Sequence, residues 1–199
     1  MNIDELDFEK GDGLIPAIVQ EAGTGTVLML GYMNREALEK TRETGHVTFF
    51  SRSKGRLWTK GETSGNYLRL KDMKVDCDND TLLVTVEADG PTCHKGTKTC
   101  WGDEILPLAF LGELGTLIKQ RHAEMPEDSY TTSLFESGNE RISQKVGEEG
   151  VEVALAHMSG DKDKILNESA DLIYHTLVLL ENAGLNLEQV CAVLQERHK

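Results

Sequence analysis

A two-domain chain is predicted, with a β-rich α+β domain over residues 1–106 followed by an all-α domain over residues 107–199. Three observations carry that expectation. Residues 15–88 hold short runs rich in β-branched and aromatic side chains, separated by Gly- and Asp-containing turns. From about residue 107 onward the apolar spacing becomes helical. The change of period falls near "DEILPLAF", which marks a boundary between layers of different class.

Taken in order, "IPAIVQ" (15–20), "GTVLML" (25–30), "HVTFFS" (46–51), "NYLRLKDMKV" (66–75) and "LLVTVEA" (82–88) are expected strands. In the fourth run Leu68 and Leu70, then Met73 and Val75, are expected on successive faces. One helix interrupts them, "NREALEKTRETG", with Asn34 able to cap its start and Gly45 its end. The second half opens after Pro107 with "LAFLGELGTLIKQR", and helices follow at 140–158 and 161–184, the latter closing on Gly184. The last helix, "NLEQVCAVLQERH", begins with Asn186 and has Gln189 at its third helical position, a capping-box pattern. Cys191 falls at an apolar position of that helix and is expected in the core.

Composition narrows the function. At 39% hydrophobic and 28% charged residues the chain reads as a globular protein, and no apolar run approaches the ~20 residues of a membrane span. The N-terminus "MNIDELDFEKGDG" is acidic and has no apolar segment, so a signal peptide is not expected and a cytoplasmic location is. The net charge is −13, made of −5 over residues 1–106 and −8 over 107–199. Such a surface disfavours nucleic-acid backbones and anionic membranes. A phosphate-bearing substrate stays compatible with it if metal ions supply positive charge.

The first domain concentrates the chemistry. "DCDND" (76–80) sets Cys77 among Asp76, Asp78 and Asp80. Carboxylates suit Mg²⁺ and thiolates suit Zn²⁺. In an extended segment the three acids would share one face and Cys77 the other. "GPTCHKGTKTC" (90–100) adds Cys93, His94 and Cys100. Three thiols leave one position of a tetrahedral zinc open to water, the pattern of a catalytic site. His94 could complete the shell or serve as acid/base beside that water. The alternatives are thiols packed as small hydrophobes and an acidic solvated turn. In "WTKGETSGN" (58–66), Gly61 and Gly65 let backbone N–H groups approach an anion, Thr63 and Ser64 supply hydroxyls, Lys60 a charge, and Asn66 closes the stretch. Arg52, Lys54 and Arg56 form a basic patch just upstream. A phosphate site and a plain Gly-rich turn both fit this stretch.

In the second domain "KVGEEGVEVA" places Glu148, Glu149 and Glu152 within about one helical turn, and "NESADLIYH" places Glu168 and Asp171 three apart. Facing carboxylates repel unless cations lie between them. They form either a Mg²⁺ cage for a polyphosphate or a solvated acidic stripe. Lys145, one turn before Glu149, is a candidate phosphate contact.

"WTKGETSGN", "DCDND" and "GPTCHKGTKTC" resemble the phosphoribosyl-AMP cyclohydrolases. "SYTTSLFESGNERISQKVGEEGVEVALA" with "NESADLIYH" resembles the phosphoribosyl-ATP pyrophosphohydrolases and their MazG-like all-α relatives. Order and extent are similar to the bifunctional histidine-biosynthesis family that fuses the two. The one departure is Thr99 before Cys100, where serine is expected; it puts no ligand in doubt. The resemblance implies two consecutive hydrolyses. The helical domain releases diphosphate from phosphoribosyl-ATP. The β-rich domain then adds water at C6 of the adenine and opens the N1–C6 bond. It further implies zinc on Cys77, Cys93 and Cys100, with ligands drawn from both chains of a homodimer. Mg²⁺ is implied on Asp76, Asp78 and Asp80, and on Glu149, Glu152, Glu168 and Asp171 with Glu148 contributing. Two rivals stand beside it: a nucleoside triphosphate pyrophosphatase with a zinc-stabilised regulatory domain, and a non-enzymatic nucleotide-binding module. Neither yields a ring-opened product.

Overall fold

The computed structural model describes residues 2–103 and 107–198. The chain forms two compact units, Met1–Ala109 and Phe110–Lys199. The expected boundary, after residue 106, touches residues 104–106, which lie outside the described residues.

The first unit is built on a four-stranded sheet in the order β2-β1-β6-β5, from β1 (Ile15–Glu21), β2 (Val27–Met33), β5 (Leu68–Val75) and β6 (Leu82–Ala88). β1 and β6 run parallel, while the two outer pairs are antiparallel. β3 (Thr48–Ser51) and β4 (Arg56–Thr59) make a separate hairpin. Alternation drives the sheet: Ile15, Ala17, Val19, Leu82, Val84 and Val86 are all fully buried. Helix α1 (Arg35–Thr44) is capped as its sequence suggests, with Asn34 Oδ1 accepting from the Ala37 N–H and Gly45 in the left-handed region.

β5 departs from the expected alternation. Its register with β6 slips between Leu70 and Asp72, so Lys71 forms a bulge. Leu70 faces Val86 and Met73 faces Val84, which puts Leu68, Leu70, Met73 and Val75 on one face rather than on two. All four pack on the same core. A second slip, between β1 and β2, sets Leu28 off the ladder opposite Val19 and Gln20.

The second unit is helical: α2 (Ala109–Glu124), α3 (Tyr130–Ser159), α4 (Lys162–Asn182) and α5 (Leu187–Arg197). α3 begins ten residues before the expected start at 140, because Ser129 caps a first segment that polar spacing alone did not mark. Gly138 breaks it with φ 77° and ψ −172°, a conformation open essentially to glycine. After that break Asn139 bonds Asn182 at the end of α4, while before it Tyr130 reaches His175 and Thr131 reaches Tyr174. The segment 130–137 therefore folds back along α4. Ile118, Leu134, Phe135, Ile142, Leu177 and Val178 form the core beneath it. Asn186 and Gln189 complete the capping box. Cys191 is exposed, against the expectation of burial, because α5 packs on that core only through Leu187 at its start and turns position 191 to solvent. Among the described residues no single helix is long and apolar enough to cross a membrane.

Candidate active sites

The first unit carries a cleft of about 420 Å³. Strand β4, missed in the sequence because its run of four is short and polar at one end, delivers Trp58 to it. The turn after β4 delivers Lys60, Thr63 and Ser64, and Asn66 follows. Gly61 makes that turn: its φ is +92°, and a Cβ there would meet the backbone of Asn66 and Tyr67 at 2.6 Å. The loop after β6 brings Thr92, Cys93, His94 and Cys100 to the opposite wall.

The thiol loop is tied down by its own backbone. The Cys93 N–H donates to the Thr97 carbonyl at 3.1 Å, and the Cys100 N–H to the carbonyl of Leu28 at 2.9 Å. Leu28 is the residue the β1–β2 slip sets off the ladder, which frees its carbonyl for this task. The Thr99 hydroxyl donates to the Gly102 carbonyl at 2.8 Å and accepts from the Trp101 N–H at 3.0 Å. Serine would do the same.

Electrostatics separate the two thiols. The Lys95 N–H and the Thr97 hydroxyl hold the Cys93 thiol below its ordinary pKa. Cys100 is exposed overall, but desolvation of its thiol at the cleft wall, then the neighbouring Cys93, pushes its pKa up. Lys60 is buried beside them, its Nζ donating to the Asn66 carbonyl at 3.2 Å. Burial lowers its pKa, and the two cysteines oppose that shift. His94 is exposed, with Nδ1 4.0 Å from Cys93 Sγ. Thr63, Ser64 and Gly65 are exposed. Arg52 stands outside the cleft lining, its guanidinium 3.7 Å from the centre of the Tyr32 ring.

"DCDND" is not extended. It is the turn between β5 and β6, with Asn79 at φ 63° and the Asp76 carboxylate accepting from the N–H groups of Asp80 and Thr81 at 3.1 Å. A carboxylate that bonds its own backbone favours a turn over a strand. The turn still gathers carboxylate oxygens of Asp76, Asp78 and Asp80 within 4.8 Å of one another. Lys10, which the sequence reading passed over, sits on them at 2.8 Å from Asp78 and 3.1 Å from Asp80. Its ammonium depresses the Asp78 carboxyl.

Cys77 is exposed on this turn. Strand β6, seven residues long, lies between it and the thiol loop. At ~3.4 Å per residue a strand of that length spans more than ~20 Å. Cys77 and the pair Cys93 and Cys100 thus stand at opposite ends of one strand. Among the described residues the three sulfurs form no single ligand group.

In the second unit Glu149, Glu152 and Glu168 bring carboxylate oxygens within 4.8 Å of one another. A side-chain hydrogen bond with Glu168, and then repulsion from it, raises the Glu152 pKa. That is the signature of a carboxylate group short of positive charge, and a divalent cation would relieve it. Glu149 is buried, with Lys145 Nζ at 2.5 Å and His175 Nδ1 at 3.5 Å from its Oε1. Glu148 turns instead to Lys145 and Arg141. Asp171 is exposed and outside the group of three, though its backbone carbonyl holds His175 Nδ1 at 2.9 Å. His175 and Tyr130 had no assigned part in the sequence reading. The signal was there: Glu168, Asp171 and His175 recur at helical spacing on one face of α4.

Comparison with known proteins agrees with this division. The phosphoribosyl-AMP cyclohydrolase family model matches residues 29–102, and the phosphoribosyl-ATP pyrophosphohydrolase family model matches residues 111–198. The histidine biosynthesis bifunctional protein HisIE of Vibrio vulnificus is 60% identical over 199 residues, covering 98% of this chain and 94% of its own length. Those of Bacteroides thetaiotaomicron and Escherichia coli are 56% and 58% identical, each covering 98% of this chain and 96% of their own. With a thiol-lined cleft in one unit and a carboxylate cluster in the other, the chain belongs to the bifunctional histidine-biosynthesis family that joins phosphoribosyl-AMP cyclohydrolase to phosphoribosyl-ATP pyrophosphohydrolase.

Proposed function

We propose that the chain's two hydrolyses run at two separate metal sites, and that the cyclohydrolase site is completed only by a second copy of the chain. The observation that carries this reading is the segregation of donors. Sulfur ligands and a buried lysine meet in the first-unit cleft, while carboxylates meet in the second unit. The thiol pair fits zinc: Cys93 is biased toward thiolate, and its loop is fixed by backbone hydrogen bonds. Cys77 is held a strand's length away, so the third sulfur comes from the partner of a homodimer. Zinc bound there supplies a Lewis acid and lowers the pKa of a water to about 7. Around it, Lys60, Thr63, Ser64, Gly65 and Asn66 hold the nucleotide, with Arg52 at the edge for phosphate. His94 moves the proton from the attacking water toward N1 as the C6–O bond forms and the N1–C6 bond breaks.

In the second unit Glu149, Glu152 and Glu168 hold Mg²⁺, with Asp171 and Glu148 beside them and Lys145 facing the phosphates. Mg²⁺ there neutralises the departing diphosphate. The E-x-x-E and E-x-x-D pairs on adjacent helices support a MazG-like architecture for this unit. Asp76, Asp78 and Asp80 form a second Mg²⁺ site in the first unit, in competition with Lys10. Four unpaired cysteines suit a reducing, cytoplasmic compartment.

Separate sites make a sharp test. Cys93→Ala abolishes ring opening of phosphoribosyl-AMP and leaves diphosphate release from phosphoribosyl-ATP intact; Glu149→Ala does the reverse. Each purified variant is assayed on each substrate. Loss of both activities in both variants would reject the reading.

A further inference from the structure

The buried polar contacts behind Glu149 belong to no role assigned so far. His175 is 4% exposed, so it does not meet substrate. Its Nδ1 lies 2.9 Å from the Asp171 carbonyl oxygen and 3.5 Å from Glu149 Oε1, both of which only accept. Nδ1 therefore carries the hydrogen. With the ring uncharged, Nε2 is the acceptor, and the Tyr130 hydroxyl, 3.0 Å away, is placed to donate to it. Tyr130 is itself more than half exposed, but its position is fixed from below. Its neighbour Thr131 bonds the Tyr174 hydroxyl at 2.9 Å and accepts from Arg121 at 3.1 Å. The folded-back segment that Gly138 permits thus reads out, through one imidazole, onto the buried carboxylate of the cluster.

We infer that His175 and Tyr130 are positioning residues for diphosphate release: the Asp171 carbonyl fixes the tautomer of His175, Tyr130 anchors the far side of its ring, and the imidazole backs the buried carboxylate of Glu149 as it faces the cation. This rests on Glu149 being a ligand of the divalent ion. Outer partners of metal ligands typically alter affinity about 10–100-fold when removed. The neutral hydrogen-bond pattern also discriminates between substitutions. Asparagine places an amide nitrogen where His175 has Nδ1 and preserves that donor. Leucine does not. Phenylalanine at position 130 keeps the ring and loses only the donor to Nε2.

The test measures Mn²⁺ binding to the full-length protein by loss of the free-ion EPR signal, with Mn²⁺ standing in for Mg²⁺. Glu149→Gln defines the share of the curve that belongs to the second-unit site. Relative to the parent protein, His175→Leu and Tyr130→Phe weaken that share about tenfold or more, and His175→Asn weakens it less than about threefold. Diphosphate release should need correspondingly more Mg²⁺ for half-maximal rate, with ring opening of phosphoribosyl-AMP unchanged as an internal control. If Glu149→Gln shifts the curve and both His175→Leu and Tyr130→Phe leave it in place, the positioning role is wrong. If Glu149→Gln itself changes nothing, the metal assignment of Glu149 fails instead. Should His175→Leu lose helical structure, Tyr130→Phe carries the test alone, since its ring remains and its hydroxyl serves no core contact.

Discussion

Two sulfur atoms seven residues apart in sequence behave differently because of what surrounds each. The Lys95 N–H, and then the Thr97 hydroxyl, favour the Cys93 thiolate, whereas local desolvation and the neighbouring Cys93 oppose ionisation of Cys100, exposed though that residue is. The sign is direct: a lowered pKa means more thiolate at neutral pH, and thiolate is the nucleophile. Metal-stripped protein treated with iodoacetamide near pH 7 should therefore be alkylated at Cys93 before Cys100, as read by peptide mass spectrometry. Faster labelling of Cys100 would show the loop geometry to be wrong. The same loop explains why Thr99 is acceptable where serine is expected. Both its hydrogen bonds use only the hydroxyl, and the extra methyl is buried with the rest of the side chain.

The elements were legible in proportion to the strength of their local signal. The β-branched runs, the Asn34 cap and the Asn186–Gln189 capping box each report a local preference, and each stands where the sequence puts it. What escaped was set by long-range contact. β4 is four residues long and earns its strand geometry from pairing with β3, not from its own pattern. The first turn and a half of α3 is apolar on a face that finds its partner only because the chain reverses at Gly138. The acids of the two clusters could be named from spacing, but His175 behind Glu149 is recognised only once two helices lie side by side. Gly138 offers the element-scale prediction. Gly138→Ala should cost about 1–3 kcal/mol, the usual penalty for a side chain in so rare a backbone conformation. Urea unfolding followed by the helical signal measures it. An unchanged midpoint would mean the reversal does not need glycine. No atom lies within 4 Å of the added Cβ, so the cost is one of backbone and not of collision.

At the scale of the whole molecule, a thiol at one end of β6 and two at the other carry the proposal that the ring-opening site draws on two chains. Complementation follows from that arrangement. Cys77→Ala and Cys93→Ala should each be inactive in ring opening alone. After subunit exchange in an equal mixture, half of the dimers are mixed, and each mixed dimer owns one intact site of two. The mixture should recover about a quarter of the parent rate. No recovery, with exchange verified by differently tagged chains, would mean that the sulfurs are not shared. Diphosphate release should be indifferent to the mixing, since the carboxylates proposed for it, Glu149, Glu152 and Glu168, gather within one helical unit.

The bulge at Lys71 has a consequence that no side chain reveals. Its own lysine is exposed and pairs with Glu87 across the strand pair, so many residues could replace it. What the position contributes is a count. Because Lys71 is the extra residue, Met73 and Val75 keep facing the core; were it paired as an ordinary strand residue, everything from Asp72 onward would change sides, and the hairpin tip bearing the three aspartates and Cys77 would rotate with it. Here the chain would suffer more from a straightened strand than from a misspelling.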